Sequence, residues 1–380
     1  MNRIKSLDAL RGLAATVVVF SHIHGVFFVH HIWLDLTPMR LLWAGGESVI
    51  LFFVLSGYVL SAPYCRSQDG VPYGRFLLTR LSRIYLPYLA AIASALLLSW
   101  LVYDPAAAAT QPFLAKLWPQ RVDWSLLASH AIVLGNFNTD AYDVVIWSLV
   151  HEMRFALIFP AFIWMVRTLS WRQALLACGV LSLAAAGASS AGLDPVIGFK
   201  NSYLYSAHYL LFFLVGALLC RHAPALAPLL AALSRRQTGY LLVAGLTLYV
   251  YSDVLYSLPK KMRWQSLTDY GSFIEDWGVG LAAAVLIALA VHHPGVSAFL
   301  NRRLFVFLGK ISYSLYLVHI LVLAAMLHLL NGQPTWLCVA LALPLIFIAA
   351  ILFHRWVEQP AHALGRRLAA GRAALARQQP

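Results

Sequence analysis

The stretch that decides the fold is Arg11-Gly-Leu-Ala-Ala-Thr-Val-Val-Val-Phe-Ser-His22. Between the two basic residues, only Thr16 and Ser21 are polar. With its flanks, the apolar run covers about residues 10–29, close to the ~20 residues that an α-helix needs to cross a bilayer. Eleven steps at ~100° make three turns plus ~20°, so Arg11 and His22 share a helix face, about 16 Å apart along the axis. Hydrocarbon solvates neither side chain, which makes the pair costly and therefore a candidate for function.

The rest of the chain has the same character. Of 380 residues, 61% are hydrophobic and only 11% charged, against roughly 25% charged in a soluble domain. The reading is an all-α, polytopic membrane protein. Further stretches near spanning length lie at 43–62, 84–103, 145–166, 173–191, 203–220, 238–256, 276–292, 304–328 and 336–354. About ten transmembrane helices put both termini on one side of the membrane. A shorter apolar run at 125–135 is interfacial or re-entrant. The transmembrane domain occupies residues 1–360, and 361–380 form a basic tail that lies on lipid headgroups. The first 25 residues have the basic start and apolar run of a signal peptide. However, no A-x-A-like site closes the run, and Asp8, Arg11 and His22 interrupt it, so an uncleaved first span is expected.

Charge orients the bundle. With both termini cytoplasmic, the inner side collects 20 of the 28 Lys and Arg, from Arg3 through Arg66, Arg75, Arg80 and Arg83 to Arg372 and Arg377. The outer side has seven, namely Arg40, Lys116, Arg121, Lys200, Lys260, Lys261 and Arg263, and Arg154 lies within a span. This is the positive-inside bias. The net charge of +13 therefore points to topology and anionic lipid rather than to nucleic acid. Cys65, Cys178, Cys220 and Cys338 show no paired or metal-ligand spacing, so reduced thiols and no metal are expected.

Depth along each span then sorts the polar residues. At ~1.5 Å per residue, His22 lies about 18 Å above the inner end of its span, and Glu152 about 10 Å below the outer end of the fourth. Glu47, early in the second span, and His319, in the outer half of the ninth, are expected in the same layer. Arg11, Arg80 and Arg83 gather at the inner mouth. In the ninth span, Ser312, Tyr316 and His319 form a stripe at i, i+4, i+7. A single histidine in a transmembrane helix ordinarily bonds a neighbouring helix. Several costly groups at one depth over a basic mouth instead imply a shared polar cavity. The mouth suits an anion with several phosphates. A buried histidine beside a carboxylate suits general-base chemistry, with Glu152 the first choice to orient His22 and Glu47 the second. The ~16 Å from Arg11 to His22 is comparable to an extended pantetheine arm, so an acyl-CoA with its phosphates at Arg11 would present its thioester near His22. The rival reading is a proton-coupled transporter or flippase using the same polar layer, although the chain lacks inverted halves and paired broken helices.

Six blocks carry a resemblance. They are Ser6-Leu-Asp-Ala-Leu-Arg11-Gly-Leu-Ala with His22, Leu51-Phe-Phe-Val-Leu-Ser-Gly57, and Arg80-Leu-Ser-Arg83-Ile-Tyr-Leu-Pro87. The others are Trp147-Ser-Leu-Val-His-Glu152, Gly309-Lys-Ile-Ser-Tyr-Ser-Leu-Tyr-Leu-Val-His319 and Val357-Glu-Gln-Pro360. In this order the chain resembles the acyltransferase-3 family of integral-membrane O-acyltransferases over nearly its whole length. The resemblance implies ten transmembrane helices in a bacterial cytoplasmic membrane. It also implies acetyl-CoA or another acyl-CoA as donor and a hydroxyl of a surface or exported glycan as acceptor. It makes Arg11 and His22 the functional pair of the first span, with Arg80 and Arg83 helping to hold the donor. The expected assignments follow: His22, Glu152 and His319 catalytic; Arg11, Arg80 and Arg83 donor-binding; Glu47, Ser312 and Tyr316 supporting substrate or transition state.

Overall fold

The computed structural model describes residues 4–27, 32–65, 70–119, 121–195, 197–252 and 271–376. Of the charges counted above, Arg3, Arg66, Lys260, Lys261, Arg263 and Arg377 lie outside the described residues, as does the end of the seventh expected span. Among the described residues every regular element is a helix. A helix occupies each of the ten expected spans: α1 Lys5–Phe27, α2 Gly45–Ser61, α3 Tyr73–Val102, α5 Trp147–Thr168, α6 Trp171–Ser190, α7 Tyr203–Arg221, α8 Arg235–Tyr251, α9 Gly271–His292, α10 Arg303–Leu329 and α11 Thr335–Phe353. The short apolar run expected at 125–135 is α4, Trp124–Ile132. Eight of the ten are long and apolar enough to cross a membrane. The other two, α2 and α8, have 17 residues each, which at ~1.5 Å per residue is about 26 Å, near the lower limit for a span. The tail is also helical, as α12 Gln359–Ala376.

Two helix crossings set the register of the site. A Cβ added at Gly12 would fall on the backbone of Leu308 and Gly309, and one at Gly309 on the Asp8 carbonyl. Only glycine allows this approach of α1 to α10. The two helices run parallel, so residues advance together. Ten positions beyond Gly12 and Gly309, His22 and His319 lie side by side. At the second crossing, a Cβ at Gly57 would meet the Phe213 carbonyl and one at Gly216 the Val54 carbonyl. This crossing joins α2 to α7 and fixes Ser56 beside α5.

Two π-helical turns shape the inner end. Leu81–Tyr85 interrupts α3, and His354–Glu358 joins α11 to α12. Each ends two residues before a proline, Pro87 or Pro360. Proline has no N–H to give the carbonyl four residues back and its ring crowds that carbonyl, so a wider turn relieves both conflicts. The chain after the last span folds back on α3, where Gly365 packs so closely that a Cβ would strike the Ser82 hydroxyl. The first turns of α1 and the start of α12 thus meet around the same π turn, at one end of the bundle.

At the other end, Arg154 ties two loops into the bundle. Its guanidinium donates to Leu134 O (3.0 Å), Gly135 O (2.6 Å), Asn201 O (2.8 Å), Ser202 O (3.1 Å) and Ser206 Oγ (2.7 Å), and it lies 4.3 Å from the Tyr203 ring centre. His151 on the same face bonds Ser206 Oγ and Lys200 O, both at 2.8 Å. A fully bonded guanidinium is the form in which arginine is tolerated among apolar helices. Its partners are four backbone carbonyls and the Ser206 hydroxyl, not the Glu152 two residues away. All four cysteines are buried, and Cys65 and Cys220 approach to 3.4 Å between sulfurs, a pairing that their spacing of 155 residues hid in the sequence.

Candidate active site

The inner end opens into a vestibule of about 630 Å³ walled by α1, α2, α3, α10 and the π turn leading into α12. Its lining includes Asp8, Arg11, Arg83, Lys310, Ser312, Tyr313, His354, Glu358 and His362. Arg11, Arg83, Ser312 and Tyr313 also line a second, narrower cavity of about 90 Å³. That cavity leads inward past Ser56, Arg80 and Glu152 to Ser148 and Tyr316. Basic residues therefore stand along both chambers, as expected from their side of the membrane.

Beyond the cavity lie the histidines. The Tyr316 hydroxyl bonds Ser148 Oγ at 2.8 Å and donates to Val145 O at 2.9 Å, while its ring centre is 6.2 Å from that of His319. His319 Nε2 is 3.2 Å from His22 Nδ1. Chemistry fixes the tautomers. His319 Nδ1 faces Leu315 O and His22 Nδ1 faces Val18 O, both at 3.0 Å. A carbonyl only accepts, so each Nδ1 carries a proton in the neutral rings. His22 Nδ1–H is then shared between Val18 O and the bare Nε2 of His319. The lone pair of His22 is left on Nε2, which is the form a general base requires. His319 orients this ring, as a carboxylate does in other base pairs.

The expected partner of His22 is elsewhere. Glu152 accepts from Arg80 (3.1 Å) and from Ser56 Oγ (2.9 Å), on the cavity side of Tyr316. Glu47 pairs with Arg40 at 3.1 Å, towards the other end of α2. The layer inferred from depth thus separates into three groups: His22 with His319, Glu152 with Arg80, and Glu47 with Arg40. Arithmetic along single helices ignores tilt and the shift of one helix against the next, which is why depth alone grouped them. Ser312 lies at the junction of the two chambers, its hydroxyl bonded to Gly309 O at 3.0 Å. Arg11 stands at the same junction, 3.8 Å from Asp8.

Some lining residues were given no role from the sequence alone. Glu358 accepts from Ser314 Oγ (2.6 Å) and His354 Nδ1 (2.9 Å) and so ties α10 to the π turn. Lys310 stands inside the Gly309–His319 block, whereas His354 and His362 had no signal in the sequence. A third cluster, away from both cavities, has Ser182 Oγ and His208 Nδ1 2.6 Å apart, and His208 Nε2 3.2 Å from Asp276. The order is that of a nucleophile triad. Ser182 is fully buried, accepts from the Trp277 indole N–H (3.0 Å) and lines neither cavity, so it serves as a polar tie among α6, α7 and α9.

Comparison with known proteins agrees with the geometry. The acyltransferase-3 model, described as an acyltransferase domain, matches residues 4–355. The chain is similar to the acyltransferase MdmB of Streptomyces mycarofaciens, with 27% identity over 96% of this chain and 93% of MdmB. It is 26% identical to the O-acetyltransferase PaAT-1 of Phomopsis amygdali, over 82% of this chain and 71% of that protein. To the O-acetyltransferase OatA of Staphylococcus aureus it is 25% identical over 94% of its own length, and it spans 57% of OatA. No solved structure matches the chain. A bundle of apolar helices enclosing this basic vestibule and histidine pair, matched by one family model over nearly its full length, belongs to the acyltransferase-3 family of membrane acyltransferases.

Proposed function

We propose that this protein transfers an acyl group, acetyl in the simplest case, from acyl-CoA in the cytosol to a hydroxyl of a glycan or related acceptor. The setting is the bacterial cytoplasmic membrane. The observation that carries the reading is the line of polar groups from the basic vestibule through the inner chamber to Tyr316, whose ring centre is 6.2 Å from that of His319, which in turn lies 3.2 Å from His22 Nδ1. The phosphates of the donor lie at the vestibule and throat, at Arg11 and Arg83. Arg80, held by Glu152, keeps the inner chamber cationic on the donor's path. The ~16 Å from Arg11 to His22 matches the pantetheine arm, once the Tyr316 ring turns aside.

His22 Nε2 takes the proton of the acceptor hydroxyl as its oxygen attacks the thioester carbonyl. The C–O bond forms, the C–S bond breaks, and the proton passes from His22 to the departing thiolate. His319 holds the ring through Nδ1, and the Tyr316 hydroxyl, once its ring turns and releases Val145 O, donates to the developing oxyanion. The relatives named O-acetyltransferases support acetyl as the group moved and oxygen as its destination.

The test is purified protein in detergent with acetyl-CoA labelled in the acetyl group and a panel of hydroxyl acceptors. Transfer that is lost in His22→Ala and weakened in Arg11→Ala, with both variants folded, is the expected result. Failure of the wild-type protein to bind or consume acetyl-CoA would overturn the reading.

A further inference from the structure

If the thioester reaches His22 and the pyrophosphate lies level with Arg11, the nucleotide end of the donor must lie farther out than Arg11. The vestibule is the space available there, and its outer wall holds three donors with little to do. Arg83 and Lys310 have no hydrogen-bond or ion-pair partner among the described residues, although both line the vestibule. His362 Nε2 is shielded from solvent without a hydrogen bond. Its nearest carboxylate oxygen, Glu358 Oε1, is 3.9 Å away, beyond hydrogen-bond range. The acids of the same wall are engaged: Asp8 lies 3.8 Å from Arg11, and Glu358 is bonded by Ser314 and His354. The free donor capacity of this wall is therefore two cations and an imidazole, a set suited to an anion.

From this arrangement we propose that Lys310, His362 and Arg83 form a phosphate subsite that reads the 3′-phosphorylated nucleotide end of the donor, with α12 as its binding wall. The inference rests on the acyl-CoA reading above and adds donor selectivity to it. The segment after the last span is then a part of the site and not only a surface anchor. Gly365 against Ser82 clamps α12 to the π turn that carries Arg83, so His362 and Arg83 are held together by packing, with Lys310 on the facing turn of α10. The shared chemistry, a phosphate monoester or diester, also belongs to anionic lipid headgroups, and the experiment separates the two sources.

The experiment uses the full chain in nanodiscs, with acetyl-CoA, acetyl-3′-dephospho-CoA and acetyl-pantetheine as donors. A lost hydrogen bond to a charged group corresponds to roughly 10-fold or more in kcat/KM. Lys310→Ala and His362→Ala are each expected to lower the preference for acetyl-CoA over acetyl-pantetheine by about that factor. Removing the 3′-phosphate from the donor should cost the wild-type protein a similar factor and cost the variants little more, because the same contact is already gone. Lys310 is exposed, so its variant reports even if His362→Ala folds poorly. The proposal is overturned if the preference ratio is unchanged. It is also overturned if the variants lose activity only in nanodiscs containing phosphatidylglycerol and not in phosphatidylcholine alone, which would make the subsite a lipid site. Should the wild-type protein use acetyl-CoA and acetyl-pantetheine equally well, this inference fails while the acyltransferase reading stands. If neither donor is used, both fail.

Discussion

The Arg80–Glu152 pair gives the sharpest prediction. Arg80 is 7% exposed and its NH2 group is 3.1 Å from Glu152 Oε2, with Ser56 Oγ on the other carboxylate oxygen. Arg80 Nε has no partner, so Glu152 carries most of the compensation for this charge. Removing one member of a buried pair strands the other, which costs about 3–5 kcal/mol. Glu152→Ala and Arg80→Ala should each destabilise by that amount, a factor of roughly 10² to 10³ or more in the folding equilibrium. The double variant strands no charge and loses only packing of the two side-chain stems, about 1–2 kcal/mol. The coupling energy is then about 4 kcal/mol or more in magnitude, beyond the ~0.5–3 kcal/mol usual for residues in contact. Equilibrium unfolding in mixed detergent, followed by fluorescence of the 12 tryptophans, measures all corners of the cycle. A parallel cycle of Glu152→Ala with His22→Ala should be additive within about 0.5 kcal/mol, since they share no partner. The reasoning is refuted if the Arg80–Glu152 double variant loses the sum of the single losses, or if the coupling appears between Glu152 and His22 instead.

Two further outcomes follow from packing and titration. Gly57→Ala puts a methyl group onto the Phe213 carbonyl at the α2–α7 crossing and should destabilise by about 1–3 kcal/mol or more; an unchanged melting temperature in detergent would show that the helices do not cross so closely. Asp143, in the loop before α5, is fully buried with Oδ2 unbonded, and burial pushes its carboxyl well above the ordinary carboxylate range. Below about pH 4 folded and unfolded chains both hold this proton. As the pH rises, the unfolded chain releases it first, so stability falls until the folded-state value is passed. Asp143→Asn should therefore lose less stability between pH 4 and pH 8 than the wild-type protein, and equal slopes would contradict the assignment.

The sequence located the spans well because the signal is local. A chain in hydrocarbon must bond its own backbone, so each span is a helix whose length and hydropathy can be read without its neighbours. The same local geometry put Arg11 and His22 on one face of α1, and the ninth-span stripe of Ser312, Tyr316 and His319 faces the throat and the histidine pair. The blocks around Arg80 and Glu358 marked residues that do meet at the vestibule, but as fragments without a common frame. Glu152 shows where local reading stops. Its depth on one helix was compatible with His22, while its actual partner depends on the π turn before Pro87 and on how α3 approaches α5.

By itself, then, the sequence determined an all-helical membrane bundle, the positive side of that bundle, and a cation and an imidazole on one helix face. The tertiary structure alone decided the pairings. The Gly12–Gly309 contact set α1 and α10 in register, so His22 received His319 and not a carboxylate. The fold of α12 against Ser82 brought His362 beside Arg83 and Lys310. Helix formation is fixed by neighbours a few residues away, whereas partners are fixed by which backbones can touch, and that depends on glycines, prolines and loops far apart in the chain.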